Sequence, residues 1–460
     1  MNDASRPGWL PEMGEGAGPI YLRIVEALAE ARSSGRLQPG DRLPPQRELA
    51  RGLGVDLTTI TRAFTEARRR KLIDAATGRG TFVTPGAAAE EPILDLGMNI
   101  PPAPAGLSLP TLIRNGIEGL LRRSSAEALL SYHPGPGSPA ERAAGSSWLA
   151  EAGGERLPID RIAVGSGAQA LLTAVLLSQT REGDAILTDA LTYPGLIALA
   201  GAAKRRLVAV RRDVDGMLPD DLDEATRREG ARLVYINPTL HNPTAMIMPE
   251  GRRRDLARVV DRLGMTIVED DPYSRLLALP PTSFLDIAPG RTVHIATMAK
   301  CISPFLRTAF LAGPDAATVA RIAEAIRGTT MMAPPLMTGL ACEWVRSGLA
   351  GEIALAVREE ALARQEIASA ILPDVVAAGQ EGLHAWLRLG DGQRSADIAD
   401  IARRRGLALS PAEEFAVGLR TENALRVSLG AAPGRDRLRE GLRGLAAILA
   451  ERGGSSAPVV

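Results

Sequence analysis

Lysine is nearly absent. Arginine carries almost all of the positive charge, and the only lysines are Lys71, Lys204 and Lys300. Where Arg serves the surface, each surviving Lys invites a chemical reason. Schiff-base formation is one task that a permanently protonated guanidinium cannot perform. Aromatic residues are few, 3% of the chain, so the core must rest on Leu, Ala, Val and Ile. Two cysteines, Cys301 and Cys342, make no disulfide framework. Four scattered histidines show no metal-ligand spacing, so no metal is expected. No apolar run reaches the roughly 18 residues of a membrane span. The N-terminus lacks the basic-then-apolar order of a secretory leader. The expectation is a cytoplasmic chain without a membrane partner.

At 460 residues the chain is too long for one ordinary core, and two or three structural units are expected. The formal net charge is zero, with 54 basic and 54 acidic residues, but the charge is uneven. Arg36 to Thr84 holds ten Lys or Arg against five Asp or Glu, a local nucleic-acid signal in a neutral protein.

That basic stretch reads as a small domain over 14–84. Ile20, Ile24, Leu28 and Ala31 fall on one helix face. "QPGDRLPP" breaks the chain at Pro39-Gly40. A short helix fits Gln46–Leu53, closed by Gly54, and a second fits Thr58 to Lys71, with Ile60, Phe64 and Ala67 on one stripe. Two helices around a tight turn form a helix-turn-helix, whose second helix enters the major groove. "LIDAATGRGTFV" reads as two short strands around a wing tip at Arg79. "TPGAAAEEPI" then marks a linker, 85–93.

From Leu94 to Val460, short apolar runs alternate with helical stretches, which predicts a mostly parallel sheet with helices on both faces. Ligands in such sheets sit at the carboxyl ends of strands, and five chemistry-bearing segments follow apolar runs there. "VGSGAQ" offers the backbone N–H groups of Gly167, Ala168 and Gln169 as an anion site at a helix start. "DALTYPG" puts Tyr193 in a loop, where its ring could stack on a flat cofactor. "NPTLHNPT" holds Asn242 in a Pro-flanked loop. "IVEDDPY" ends a strand with carboxylates, and a buried carboxylate there needs a cation. "IATMAKCISPFLR" ends a strand with Lys300, followed by Arg307.

The first domain resembles the GntR winged-helix family through Gly35, Leu37, Pro39, Gly40, Leu43, Pro44, Arg47, Leu49 and Ala50, then Gly78, Gly80, Thr81, Phe82 and Val83. The resemblance implies that double-stranded DNA is a partner and that Arg47, Thr58, Thr59, Arg62 and Arg79 face it. One departure is Leu57, where the family commonly has Arg. The second domain resembles the fold type I aminotransferases of the class I and II group, in particular the kynurenine/2-aminoadipate type. The implied fold is α/β, with a large, mostly parallel sheet domain and a smaller C-terminal α+β domain. The implied cofactor is pyridoxal 5'-phosphate.

By that resemblance Lys300 forms the internal aldimine and is the catalytic residue of any reaction. Asp270 pairs with the pyridinium nitrogen. Asn242 and Tyr273 meet the phenolic oxygen, and Tyr193 stacks on the ring. Gly167, Ala168, Gln169, Thr297 and Arg307 hold the phosphate. Arg426 clamps the α-carboxylate of a small amino compound, either effector or substrate. Ala245 stands where the family often has Gly, and Ala299 where Ser often precedes the lysine.

The joined arrangement is similar to the MocR regulators, which implies a head-to-tail homodimer. Two readings remain: a transcription regulator that senses an amino compound or the cofactor through the aldimine, or a working aminotransferase in which DNA binding is secondary or lost.

Overall fold

The computed structural model describes residues 19–33, 36–38, 40–76, 80–84, 93–123, 129, 131–150, 156–372, 381–390, 392–418 and 422–453. Contacts within the chain divide it into two compact units, Met1–Ile93 and Leu94–Val460. Among the described residues no helix is long and apolar enough to cross a membrane.

Among its described residues the first unit shows three helices and an antiparallel pair of strands: α1 (Ile20–Ser33), α2 (Gln46–Leu53), α3 (Leu57–Arg69), β1 (Ile73–Ala76) and β2 (Gly80–Val83). Its core gathers Ile24, Val25, Leu28 and Ala31 of α1 with Leu49 and Ala50 of α2 and Ile60, Ala63, Phe64 and Ala67 of α3. Ile20, expected on the buried face, is 44% exposed; Val25 sits in the core instead. Each large side chain removed from water there contributes about 1.5–3 kcal/mol. Gly54 ends α2 in the left-handed region, φ 63°, where a side chain would be strained. Asp56 caps α3 by accepting from the Thr58 amide at 2.8 Å. The chain before α2 adds to the strand pair: the Leu43 amide donates to Thr81 O and the Val83 amide to Asp41 O.

The second unit begins with β3 (Leu94–Asp95), then β4 (Ile162–Gly165), β5 (Ala185–Asp189), β6 (Arg206–Val210), the small hairpin β7 (Arg212–Asp213) with β8 (Gly216–Met217), β9 (Leu233–Ile236), β10 (Thr266–Asp270), β11 (Thr292–Thr297) and β12 (Ala309–Ala312). Seven of these form one sheet in the order β4-β12-β11-β10-β9-β5-β6. Only β12 runs antiparallel to its neighbours. Both faces are covered, which is why the strands read as continuous apolar runs. Ile186, Tyr235 and Val268 pack on one face beside the helices Ala168–Gln179 and Ala316–Thr329. Leu187, Val234 and Ile267 pack on the other, beside the helices Pro219–Glu229 and Glu250–Leu263.

The C-terminal part is a smaller α+β layer. β13 (His384–Arg388), β14 (Leu407–Ala408), β15 (Ser410–Pro411) and β16 (Ala424–Ser428) follow in sequence. β16 lies between β13 and β15, while β14 pairs in parallel with β3. The opening strand of the unit is thus built into its C-terminal layer.

Candidate functional site

The carboxyl ends of β4, β5, β9, β10 and β11 gather the residues that the sequence singles out. Gly167 follows β4, Tyr193 follows β5, Asn242 follows β9, Asp270 ends β10, Thr297 ends β11 and Lys300 comes next. Because β12 is antiparallel, its start lies at the same edge, which brings Arg307 into the group. Tyr193, Tyr273, Asp270, Lys300, Arg307 and Arg426 lie close enough to shift one another's ionisation.

Asp270 is separated from its neighbouring carboxylates by strand alternation. Glu269 turns to the opposite face, accepting from the amides of Phe284 and Leu285 and lying 2.8 Å from His294 Nδ1. Asp271 accepts from the Ser274 amide at 3.0 Å, within a turn. Asp270 Oδ2 accepts from the buried Tyr235 hydroxyl at 2.6 Å. Its Oδ1 is buried with no partner. Burial raises the Asp270 pKa to about 6, with Asp271 adding to the rise against the Tyr235 hydrogen bond. A cation placed on Oδ1 would satisfy both the open lone pairs and the charge.

Lys300 shows the reverse shift. Burial first, then Arg426 and Arg307, lower its pKa to about 8, so a neutral amine is accessible near neutral pH. Its Nζ donates to the carbonyl of Asn99 at 2.5 Å.

Arg426 is buried on β16. It donates from Nη1 to Asn242 Oδ1 at 2.6 Å and from Nη2 to the Gly97 carbonyl, and its guanidinium lies 4.8 Å over the Phe415 ring. Asn242 itself is held by its amide, which donates to Asn237 Oδ1 at 2.7 Å. Tyr273 is buried, and its hydroxyl oxygen accepts from Asn99 Nδ2 at 2.8 Å.

The anion cradle is narrower than the sequence suggests. The Gly167 amide donates to Gly165 O at 2.8 Å, so it is spent within the turn. Ala168 and Gln169 open the helix, where amides have no intrahelical partner. Arg307, at φ 46°, turns its guanidinium back to the Ser166 carbonyl at 3.2 Å. A Cβ on Gly167 would come within 3.6 Å of that guanidinium. Gln169 donates to Gly195 O at 2.9 Å and leaves Oε1 buried and unpartnered. A Cβ on Gly195 would collide with the Tyr193 ring, which needs that space. The open acceptor of Asp270, the amine of Lys300 and the arginine at a helix start fit the ring nitrogen, aldehyde and phosphate of pyridoxal phosphate.

Ala245 adopts φ 56°, a left-handed conformation that explains the family's preference for Gly there. Reasoning from sequence misses Asn99, Gly97, Tyr235 and His384, which touch these residues. None carries a local signal: each reads as strand or loop until distant segments meet.

In the first unit, Arg47 on α2 and Arg62 on α3 are exposed. The Arg62 guanidinium lies 5.0 Å over the Tyr21 ring. Thr58 is exposed, but its hydroxyl donates to Asp56 Oδ1 at 2.6 Å; Thr59 is half-buried. Arg69 and Arg70 both pair with Glu66. Leu57 stands exposed at the first position of α3. Arg79 lies outside the described residues.

Residues 91–445 match the family described as "Aminotransferase class I and II". Residues 20–83 match "Bacterial regulatory proteins, gntR family". The chain is 29% identical over 459 residues to the "Uncharacterized HTH-type transcriptional regulator YdeF" of Bacillus subtilis, covering 96% of each. It is 28% identical to the "Vitamin B6 salvage pathway transcriptional repressor PtsJ" of Salmonella typhimurium, over 90% of this chain and 94% of that one. Among solved structures it resembles LysN, an alpha-aminoadipate aminotransferase of Thermus thermophilus, with TM-score 0.71 and 24% identity over 84% of this chain and 98% of that one.

Proposed function

The chain belongs to the class I and II aminotransferase family and carries a GntR-family DNA-binding unit ahead of that body; from this we propose that it is a pyridoxal phosphate-dependent transcription regulator whose second unit senses an amino compound or the cofactor itself. The observation that carries the reading is the coexistence, in one chain, of the helix-turn-helix unit with a lysine whose pKa burial lowers to about 8. When bound, pyridoxal phosphate supplies an electrophilic carbon that captures amines and a ring that withdraws electrons. The chain's own residues bind and aim it. Lys300 is the amine that attaches to it. Asp270 Oδ1 takes the ring nitrogen and holds its proton. Asn242 and Tyr273 meet the phenolic oxygen, and Tyr193 covers the ring face. Arg307, Thr297 and the amides of Ala168 and Gln169 hold the phosphate, the guanidinium as its counter-charge, and the Gly167 turn sets those amides at the helix start. Arg426 takes the carboxylate of an amino compound in a bidentate fork.

Two copies of the chain assemble head-to-tail, so that two DNA-reading units cover two half-sites. Arg47, Thr59, Arg62 and Arg79 contact the duplex, and Thr58 acts through the cap of α3. The relatives named as HTH regulators match nearly the full length, which favours regulation over turnover as the primary task. The test pairs two measurements on the purified protein. Cofactor absorbance is followed with a panel of amino acids and 2-oxoglutarate, and DNA affinity is measured for the sequence upstream of the gene. A spectral shift without product, together with a preference for that DNA, is the expected result. Rapid turnover with no DNA preference at any site would leave an aminotransferase.

A further inference from the structure

Asn99 is buried beside the cofactor site, and the functional reading above does not use it. It is 4% exposed. Its Nδ2 lies 2.8 Å from the Tyr273 hydroxyl oxygen and 3.0 Å from Nδ1 of His384. The other ring nitrogen of His384, Nε2, lies 3.2 Å from the carbonyl oxygen of His241.

The direction of every hydrogen bond in this chain of groups follows from its far end. A backbone carbonyl can only accept, so Nε2 of His384 carries a proton. His384 is 1% exposed. Burial first, then the neighbouring Arg426, pushes its pKa down to about 3, so the ring is neutral. A neutral ring with a protonated Nε2 has a bare Nδ1, and a bare Nδ1 can only accept. The Asn99 amide must therefore present its NH2 group, not its oxygen. With one hydrogen on His384, the other goes to Tyr273, whose oxygen accepts it. The phenol keeps its own proton for a different partner. Asn99 Oδ1, turned away from both, has no partner. Asn99 also accepts from Lys300 Nζ through its backbone, so one residue touches the lysine and the phenol.

We infer that His384 and Asn99 form a polarity relay that sets Tyr273 as a hydrogen-bond donor toward the cofactor's phenolic oxygen, with the His241 carbonyl as the fixed end. Both are positioning residues: they act on the cofactor only through Tyr273. A donor at that oxygen favours its anionic form. The relay therefore shifts the balance between the proton-bearing and proton-free forms of the Lys300-linked cofactor. The last link, from Tyr273 to the cofactor, rests on the functional reading above; the links from His241 to Tyr273 do not.

The experiment has two arms. In the cofactor-free full-length protein, labelled on its four histidines, nitrogen NMR reads the tautomer of His384, assigned by its loss in His384→Leu. The expected result is a neutral ring with protonated Nε2 from pH 6 to 8. A protonated Nδ1 or a cationic ring would overturn the relay, whatever the cofactor does. In the loaded protein, the pH at which the visible absorbance of the cofactor changes form is measured for His384→Leu, His384→Gln and Asn99→Asp. Arg426 and Asp270, the charged groups facing Tyr273, stay in place in all three. His384→Leu and Asn99→Asp should raise that transition by about one pH unit, a tenfold change in the balance. His384→Gln keeps an acceptor toward Asn99 and a donor toward His241, and should restore it. A folded, loaded His384→Leu protein with an unmoved transition would overturn the proposal. A protein that never takes up the cofactor, yet shows the expected tautomer, would instead remove the functional reading.

Discussion

Arg426 and Asn242 face each other across 184 positions of sequence and share a hydrogen bond of 2.6 Å, guanidinium to amide oxygen. The group proposed to clamp a carboxylate and the group proposed to meet the phenolic oxygen are thus one mechanical unit. Asn242→Ala leaves Nη1 of a buried arginine without that acceptor. A hydrogen bond to a charged group is worth about 1.5–3 kcal/mol. Affinity for amino compounds should fall roughly tenfold or more, read as the ligand concentration that half-shifts the cofactor spectrum. An unchanged half-point would mean that Asn242 does not position Arg426.

Asp270 predicts how the cofactor-free protein responds to pH. Its folded-state pKa is about 6 against an ordinary 3.8. A carboxyl whose pKa rises on folding holds its proton more tightly when folded. Its burden on stability is therefore absent below the unfolded value, grows between pH 4 and 6, and is fully present above. The size is about 3 kcal/mol. Asp270→Asn should make the cofactor-free protein more stable at pH 8 and leave it nearly unchanged at pH 3.5. Denaturant unfolding at both pH values is the check. The same substitution should weaken cofactor binding, because the ring nitrogen loses its anion.

Lys300→Ala should abolish borohydride trapping of the cofactor on the chain while far-ultraviolet circular dichroism stays unchanged. Lys204, the other lysine of the second unit, lies on the surface in an ion pair with Glu182, so that unit offers no alternative attachment. Cofactor still trapped on the variant would disprove the assignment.

Ala245→Gly should stabilise the protein. At φ 56° a methyl group is strained and glycine is not, a difference of roughly 1 kcal/mol. A lower melting temperature for the glycine variant would show that Ala245 contributes packing that outweighs its strain.

Arg47→Ala and Arg62→Ala should each weaken DNA binding. Each should also lower the slope of log affinity against log salt by about 1 for every phosphate that the variant no longer neutralises. Arg62 also lies over Tyr21, so Tyr21→Ala should reproduce part of its effect by freeing the side chain. Anisotropy titrations of the full-length protein across salt concentrations measure both. Variants with the parent slope would place the phosphate-binding groups elsewhere.

Much of the fold is legible wherever the cause is local. The helix Gln46–Leu53 is read to the residue, because Pro45 and Gly54 punctuate it. Lys300, Asp270 and Arg307 stand out because charge at the end of an apolar run has few other uses. What stays hidden depends on partners far away in sequence. Tyr235 looks like one more apolar strand residue until alternation sets it on the same sheet face as Asp270, two residues beyond its register partner Val268. His384 and Asn99 lie 285 positions apart and become a pair only through the fold. The Gly167 amide reads as part of the anion cradle, but the tight turn to Gly165 consumes it. Ile20 fits the helical stripe, yet it sits at the helix end, where the core no longer covers it.

The pairing of β3 with β14 sets an order on biogenesis. Leu94 leaves the ribosome 313 residues before its partner Leu407, and Arg426 emerges later still. The first unit holds a complete core of its own and can fold while the rest is being made. Gly97 and Asn99, by contrast, must wait near the start of the second unit until β13 and β16 have been made. Their hydrogen bonds with His384 and Arg426 therefore cannot form until those strands have been made. A chain cut short before Leu407 would emerge with the first unit's core complete and the second unit's β3 unpaired; on the proposed function it keeps the DNA-binding unit and loses the site that answers to a ligand.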